Sequence, residues 1–96
     1  MKKAKVTFLP IGGSGALHLD FQNGFFGNAV EALHGEGVGF FSFDESLMGV
    51  TFDDVAAKSD HQTLEFGIYR IEVKVKNGKV AYNVEEKKPR PKKRAA

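Results

Sequence analysis

The histidines and the carboxylates close to them are the residues of this chain best suited to catalysis or metal binding. On a predicted strand, His18 and Asp20 point to the same face, which suits a metal pair or a general base with its orienting acid. No His-x-x-x-His or Glu-x-x-His spacing accompanies them, and His34 lies where the end of a predicted helix favours a cation. We therefore predict no catalytic residue, no metal site and no cofactor, and we expect a protein that is not an enzyme.

A glycine-rich segment at 12–15 has the composition of loops whose backbone N–H groups surround a phosphate. A phosphate-binding loop continues into Lys-Ser or Lys-Thr and a helix, whereas Ala16 begins a predicted strand. The segment also lacks the final glycine of a nucleophile elbow. We interpret it as the loop of a hairpin.

The segment 67–84 resembles the opening hairpin of the GIY-YIG nuclease family, because Gly67, Ile68 and Tyr69 are followed by an Asn-Gly-Lys turn. Tyr82 alone matches the second triplet, since the two residues after it are Asn and Val. In that family the catalytic arginine and the metal-binding glutamate come downstream, where residues 85–96 contain no predicted folded segment. We therefore predict an ordinary Asn-Gly hairpin without nuclease activity.

The last ten residues, KKPRPKKRAA, reverse the charge of the chain. Residues 1–86 carry 8 Lys and Arg against 12 Asp and Glu, and the six cations of the final ten residues bring the net charge to +2. Two prolines oppose helix and sheet hydrogen bonding in this segment. We predict a single small β-rich domain over 1–86 and a disordered basic tail over 87–96.

We expect the tail to bind nucleic acid without sequence preference, because six cations can contact up to six phosphates. Outward-facing lysines around the Asn-Gly turn are expected to extend this surface. The expected contacts are Lys74, Lys76, Lys79, Lys87, Lys88, Arg90, Lys92, Lys93 and Arg94. The alternative is a tail that only solubilises or targets the protein.

The acidic middle of the chain suggests a different class of function. Residues 31–65 carry eight acids against one base, Lys58, and they suit a protein–protein inhibitor or adaptor, of the kind found in mobile elements, that engages a basic partner. The acidic pairs lack the ligand spacing of an EF-hand loop. The expected contacts of this alternative are Asp44, Glu45, Asp53 and Asp54.

Alternating apolar and polar residues predict several antiparallel strands. Residues 4–9 and 16–22 form a first predicted hairpin, and residues 38–43 and 48–52 form two more strands. The clearest signal is Asn77-Gly78, which suits a type I′ turn and pairs Lys76 with Lys79.

Helical spacing of apolar residues from Phe26 to Leu33 predicts one short helix at about 25–34, ended by Gly35. Thr51 followed by Asp54 also allows a short helix through Ala57 in place of the end of a strand. The predicted fold class is α+β: a mainly antiparallel sheet of five or six strands, either open or closed into a small barrel, with one short helix.

Composition limits the remaining choices. The chain has no cysteine, which excludes disulfides and thiolate metal sites, and no apolar run of membrane-spanning length. We expect a cytoplasmic protein that does not enter a membrane. Phe25, Phe26, Phe40 and Phe41 cannot all face inward on alternating elements, and an exposed aromatic patch would suit a homodimer or a partner interface.

Overall fold

The computed structural model describes residues 4–21, 28–42, 44 and 46–86. Within them the chain forms strands and no helix, and none of these residues belongs to a helix long and apolar enough to cross a membrane. The strands in chain order are β1 (Lys5–Phe8), β2 (Ser14–Asp20), β3 (Asn28–Glu31), β4 (Gly37–Phe41), β5 (Leu47–Ala56), β6 (Ser59–Phe66), β7 (Tyr69–Lys76) and β8 (Lys79–Glu86).

The strands form two antiparallel sheets. One has five strands in the order β1-β2-β5-β4-β3, and the other has three in the order β6-β7-β8. The mainly antiparallel character is confirmed, whereas the strands number eight in two sheets and neither the barrel nor the helix is found among the described residues. The first predicted hairpin is confirmed as β1 and β2, with Phe8 opposite Leu17.

The predicted helix at 25–34 is wrong from residue 28 onward, and residues 25–27 lie outside the described part of the chain. Asn28–Glu31 is β3, which pairs with β4 so that Ala29 lies opposite Phe40 and Val30 opposite Gly39. Gly35 does have a positive φ of 93°, but it serves the turn between β3 and β4 and does not end a helix. A short run of apolar residues fits the periodicity of a helix and that of a strand, and pairing with β4 makes this segment a strand.

The strand predicted at 48–52 is longer than the sequence pattern indicated. β5 continues to Ala56, so the alternative helix opening at Thr51 is wrong. β6 was not predicted, because its inward positions Asp60 and Gln62 are polar. These two side chains hydrogen bond to each other (2.9 Å), and Gln62 Nε2 also donates to the carbonyl of Asp54 (2.6 Å).

The predicted hairpin around Asn77-Gly78 is confirmed in its register. Lys76 pairs with Lys79, Val73 with Tyr82, and the two turn residues have φ values of 54° and 80°. Both central positions of a type I′ turn require positive φ, which Asn and Gly adopt at low cost. Local sequence therefore specifies β7 and β8.

A single hydrophobic core joins the two sheets. The larger sheet contributes the buried residues of β2 and β5 and the residue that follows β2: Leu17, Leu19, Phe21, Val50, Phe52 and Val55. The smaller sheet contributes those of β6 and β7: Leu64, Phe66, Ile71, Val73 and Val75. The sheets approach closely where β4 has glycine. A Cβ atom on Gly39 would lie 2.9 Å from the ring of Phe66, so small residues on β4 admit the large side chains of β6.

The turn between the two sheets is held by Asp60. Its Oδ2 accepts hydrogen bonds from the N–H of Ala56 (2.8 Å) and from Gln62 Nε2, and its Oδ1 accepts one from the N–H of His61 (2.7 Å). The bond from Ala56 is the main cause that lowers the pKa of this carboxyl below its usual value. The ionised carboxylate thus fastens the end of β5 to the start of β6.

We expect acid to weaken this fastening. Because the pKa of Asp60 is lower in the folded than in the unfolded chain, its stabilising effect is fully present above about pH 4 and is lost as pH falls through the folded value. Asp60→Asn should lower the free energy of unfolding by about 1 kcal/mol at neutral pH, given a charged hydrogen bond at a half-buried site. Urea unfolding at pH 7 and pH 3 measures both effects, and an Asn variant as acid-sensitive as the parent would contradict the assignment.

Candidate nucleic-acid interface

Three of the predicted contact residues lie together at the closed end of the β7–β8 hairpin. Lys74, Lys76 and Lys79, which we call the hairpin tip, are all exposed, and they alternate outward because the inward positions are the core residues of β7. The structure places these three lysines at one end of the hairpin, on the outward face that the alternation of apolar and polar residues predicted. The hairpin tip is a cationic surface beside a tight two-residue turn.

The lysines of the hairpin tip form no salt bridge among the described residues. Lys76 and Lys79 lie directly opposite each other, an arrangement that costs stability in a sheet. Among the described residues no salt bridge joins the tip lysines to a carboxylate, whereas Arg70 lies between Glu65 (3.8 Å) and Glu85 (3.9 Å) further along β7. Of the four cations on the β7–β8 hairpin, the three at the tip are therefore the ones available to an anionic ligand.

A further cation lies at this end of the molecule and was not predicted as a contact. Lys58 is exposed in the turn between β5 and β6, and the next residue, Ser59, pairs with Lys76. In sequence Lys58 stands alone among acids, and only the pairing of β6 with β7 brings it to the lysine-rich end of the sheet. A prediction of the pairing between β6 and β7 would have identified Lys58 as a contact residue.

The tail begins at the other end of the hairpin. Glu86 ends β8 opposite Tyr69, about 23 Å from Lys79 at an extended rise of about 3.3 Å per residue. Residues 87–96, including Lys88, Arg90, Lys92, Lys93 and Arg94, lie outside the described part of the chain. Within one chain the tip and the last described residue are thus separated by the length of β8.

The residues of the acidic alternative are also divided. Asp44 precedes β5, whereas Asp53 and Asp54 lie near its other end, seven or more residues along the strand, and Glu45 lies outside the described residues. Asp44 accepts hydrogen bonds from the Ser42 hydroxyl and the N–H of Ser46 (3.1 Å). These bonds, the one from Ser42 foremost, lower the pKa of Asp44. Among the described acids, Asp44 is therefore separated from Asp53 and Asp54 by most of the length of β5.

Asp44 instead borders a groove of about 730 Å³ beside the end of β8, which we call the acidic groove. Aromatic rings line it and contact one another: the ring centroid of Phe41 lies 5.7 Å from that of Phe66 and 5.8 Å from that of Tyr69. The other apolar and acidic side chains of the groove are Val30, Leu33, Ile68, Glu31 and Glu86. An apolar floor with a carboxylate rim suits a basic segment with an apolar anchor.

The histidines are engaged in local contacts. His18 Nδ1 shares a hydrogen bond with Thr51 Oγ1 (2.5 Å), and its ring lies edge-on to Phe40. His61 Nε2 is bonded to Glu72, and this bond is the main cause that lowers the pKa of that carboxyl. Over residues 4–21, 28–42, 44 and 46–86, no group of three or more His, Asp or Glu is placed to hold a metal ion.

No model of a protein family matches this chain, and neither does any curated protein or solved structure.

Proposed function

We propose that the protein is a small non-enzymatic module that binds nucleic acid through its basic tail and the hairpin tip, in the cytoplasm. The observation that carries the proposal is the cluster of exposed lysines at the tip, which form no salt bridge among the described residues. Lysines that served only solubility would not need to cluster, because like charges on paired strands lower the stability of the sheet.

The binding would be electrostatic. Each Lys or Arg that neutralises a phosphate releases a counterion, and the six tail cations alone correspond to a slope near −5 for log K against log salt on duplex DNA. Each tip lysine that contacts phosphate adds about −0.9 to this slope. No exposed aromatic ring accompanies the tip lysines on their face of the described sheet, so base stacking is not part of the proposal.

Fluorescence anisotropy with labelled duplex DNA, single-stranded DNA and RNA, from about 50 to 300 mM salt, tests the proposal. Replacing the six tail cations with glutamine should abolish most binding, and replacing the three tip lysines should reduce the magnitude of the slope by up to about 3. Lys5→Gln is the matched control, because Lys5 is exposed on β1 in the other sheet. Absence of binding by the full chain at 50 mM salt would overturn the proposal.

The acidic groove supports a second candidate function, the capture of a basic segment of another protein. Its aromatic floor and its carboxylates are the observation that favours this function. A lysine- and arginine-rich peptide with one leucine, titrated into the tail-neutralised chain, should shift the NMR signals of Tyr69 and Ile68. Asp44→Asn should weaken the interaction, whereas Asp54→Asn, at the far end of β5, should not.

A further inference from the structure

The longest open sheet edge among the described residues is β8. It has eight residues, while the edge strands β1 and β3 have four each. The edge of β6 is partly covered, because the N–H of Leu33 donates to the Glu65 carbonyl (2.8 Å) and the N–H of Glu65 to the His34 carbonyl (3.2 Å). Residues 80–84 of β8 contain neither charge nor proline, the usual protections of an open edge.

The turn geometry tells which backbone groups of β8 face the open side. A type I′ turn at Asn77-Gly78 makes Lys76 and Lys79 a hydrogen-bonded pair, and such pairs alternate along an antiparallel ladder. The odd-numbered residues of β8 thus bond to β7. The N–H and C=O groups of Val80, Tyr82 and Val84 point outward to the edge.

The edge sequence is complementary to itself. If two copies of β8 run antiparallel with Tyr82 opposite Tyr82, then Val80 of one copy lies opposite Val84 of the other, and Lys79 lies opposite Glu85. These are the residue pairs that stabilise antiparallel strands: aliphatic beside aliphatic and cation beside anion. In the same register the outward N–H and C=O groups of the three even-numbered positions meet their counterparts, so backbone bonding and side-chain pairing require one and the same alignment.

We propose that two copies of this protein form a symmetric dimer by antiparallel pairing of β8 with β8, centred on Tyr82, to give a continuous six-stranded sheet. Such an isologous contact repeats each interaction twice. Edge pairing buries little surface, so a dissociation constant in the micromolar range, about 1 to 100 µM, is expected.

The dimer has a consequence for the basic residues that rests on the proposed function. In this register Glu86 of one copy lies opposite Gly78 of the other, so the last described residue of each β8 lies beside the hairpin tip of the other copy. Within one chain the same two places are separated by the length of β8. The dimer also joins two hairpin tips, and therefore two sets of tip lysines, in one molecule.

Sedimentation of the full chain over about 1 to 500 µM tests the dimer without nucleic acid. The mass should rise from 10.5 kDa towards twice that value with concentration. Lys79→Glu places acid opposite acid at both symmetric sites and should weaken dimerisation about tenfold, and Glu85→Lys should do the same. The double variant K79E/E85K restores opposite charges and should recover the dimer. A monomer at the highest concentration, or a double variant weaker than either single one, would overturn the proposal.

Cysteine cross-linking tests the register, because the natural chain has no cysteine. In the proposed pairing Ala81 lies opposite Asn83 as a non-hydrogen-bonded pair with Cα atoms about 4.5 Å apart, within disulfide reach. Oxidation of an A81C and N83C mixture should give a covalent heterodimer. A81C alone should not cross-link, since its two cysteines would be about 8 Å apart. Equal cross-linking in both samples would contradict the register.

The covalent heterodimer also separates the two proposals. It should bind duplex DNA with a steeper salt slope than either reduced single variant at concentrations where these are monomeric. A dimer with an unchanged slope would mean that the two hairpin tips do not bind one duplex together, and it would leave the dimer intact. Absence of binding by every species would refute the nucleic-acid function alone, since dimerisation is measured separately.

Discussion

Phe52→Ala is expected to lower the free energy of unfolding by about 3 to 5 kcal/mol, the cost of removing a buried phenylalanine and leaving a cavity. Phe52 is fully buried on β5, opposite Leu17 of β2 and Gly37 of β4, and it belongs to the core that joins both sheets. Domains of this size are stable by about 5 to 15 kcal/mol, so the variant should be partly unfolded at moderate temperature.

Urea denaturation followed by circular dichroism measures this loss. Phe40→Ala is the matched control, because Phe40 is half-buried on the face of the five-stranded sheet that points away from the core. Its replacement should cost about 1 kcal/mol, since only part of the ring is removed from water. Equal losses for the two variants would mean that Phe52 does not occupy the core position described here.

Gly37→Ala is expected to cost about 3 kcal/mol, although it adds a single methyl group. A Cβ atom at Gly37 would lie 2.5 Å from Leu64 Cδ1 and would also meet the carbonyl oxygen of Thr51 on the neighbouring strand. The backbone of β5 cannot move away without disturbing its pairing with β4. The substitution therefore forces the two sheets apart.

Gly67→Ala separates this steric cost from the general effect of replacing glycine. Gly67 has a φ of 52° and nothing within 4 Å of its Cβ position, so alanine there should cost only about 1 kcal/mol of backbone strain. Thermal unfolding of the two variants gives the comparison. If Gly37→Ala were as mild as Gly67→Ala, the close approach of β4 to β6 would be refuted.

The candidate interface was partly accessible from sequence. The exposed lysines Lys74, Lys76 and Lys79 follow from alternation along a strand whose other positions are apolar. Lys58 was missed because its neighbours in sequence are acidic, and its place beside Lys76 depends on the pairing of β6 with β7. The distance between Asp44 and the pair Asp53 and Asp54 was not accessible from sequence, since it depends on the length of β5, which carries them to different ends.

The amino-acid sequence by itself determined the β7–β8 hairpin, the β1–β2 hairpin and the cationic character of the tip. These features are local, because a turn that needs positive φ and a two-residue alternation act within about twenty residues of chain. The tertiary structure alone decided that 28–31 is a strand, that Ser59–Phe66 is a strand with polar residues facing inward, and that β4 carries glycine where Leu64 and Phe66 enter. The reason is that a short segment with mixed signals adopts whichever conformation buries the large side chains of its distant neighbours and completes their hydrogen bonds.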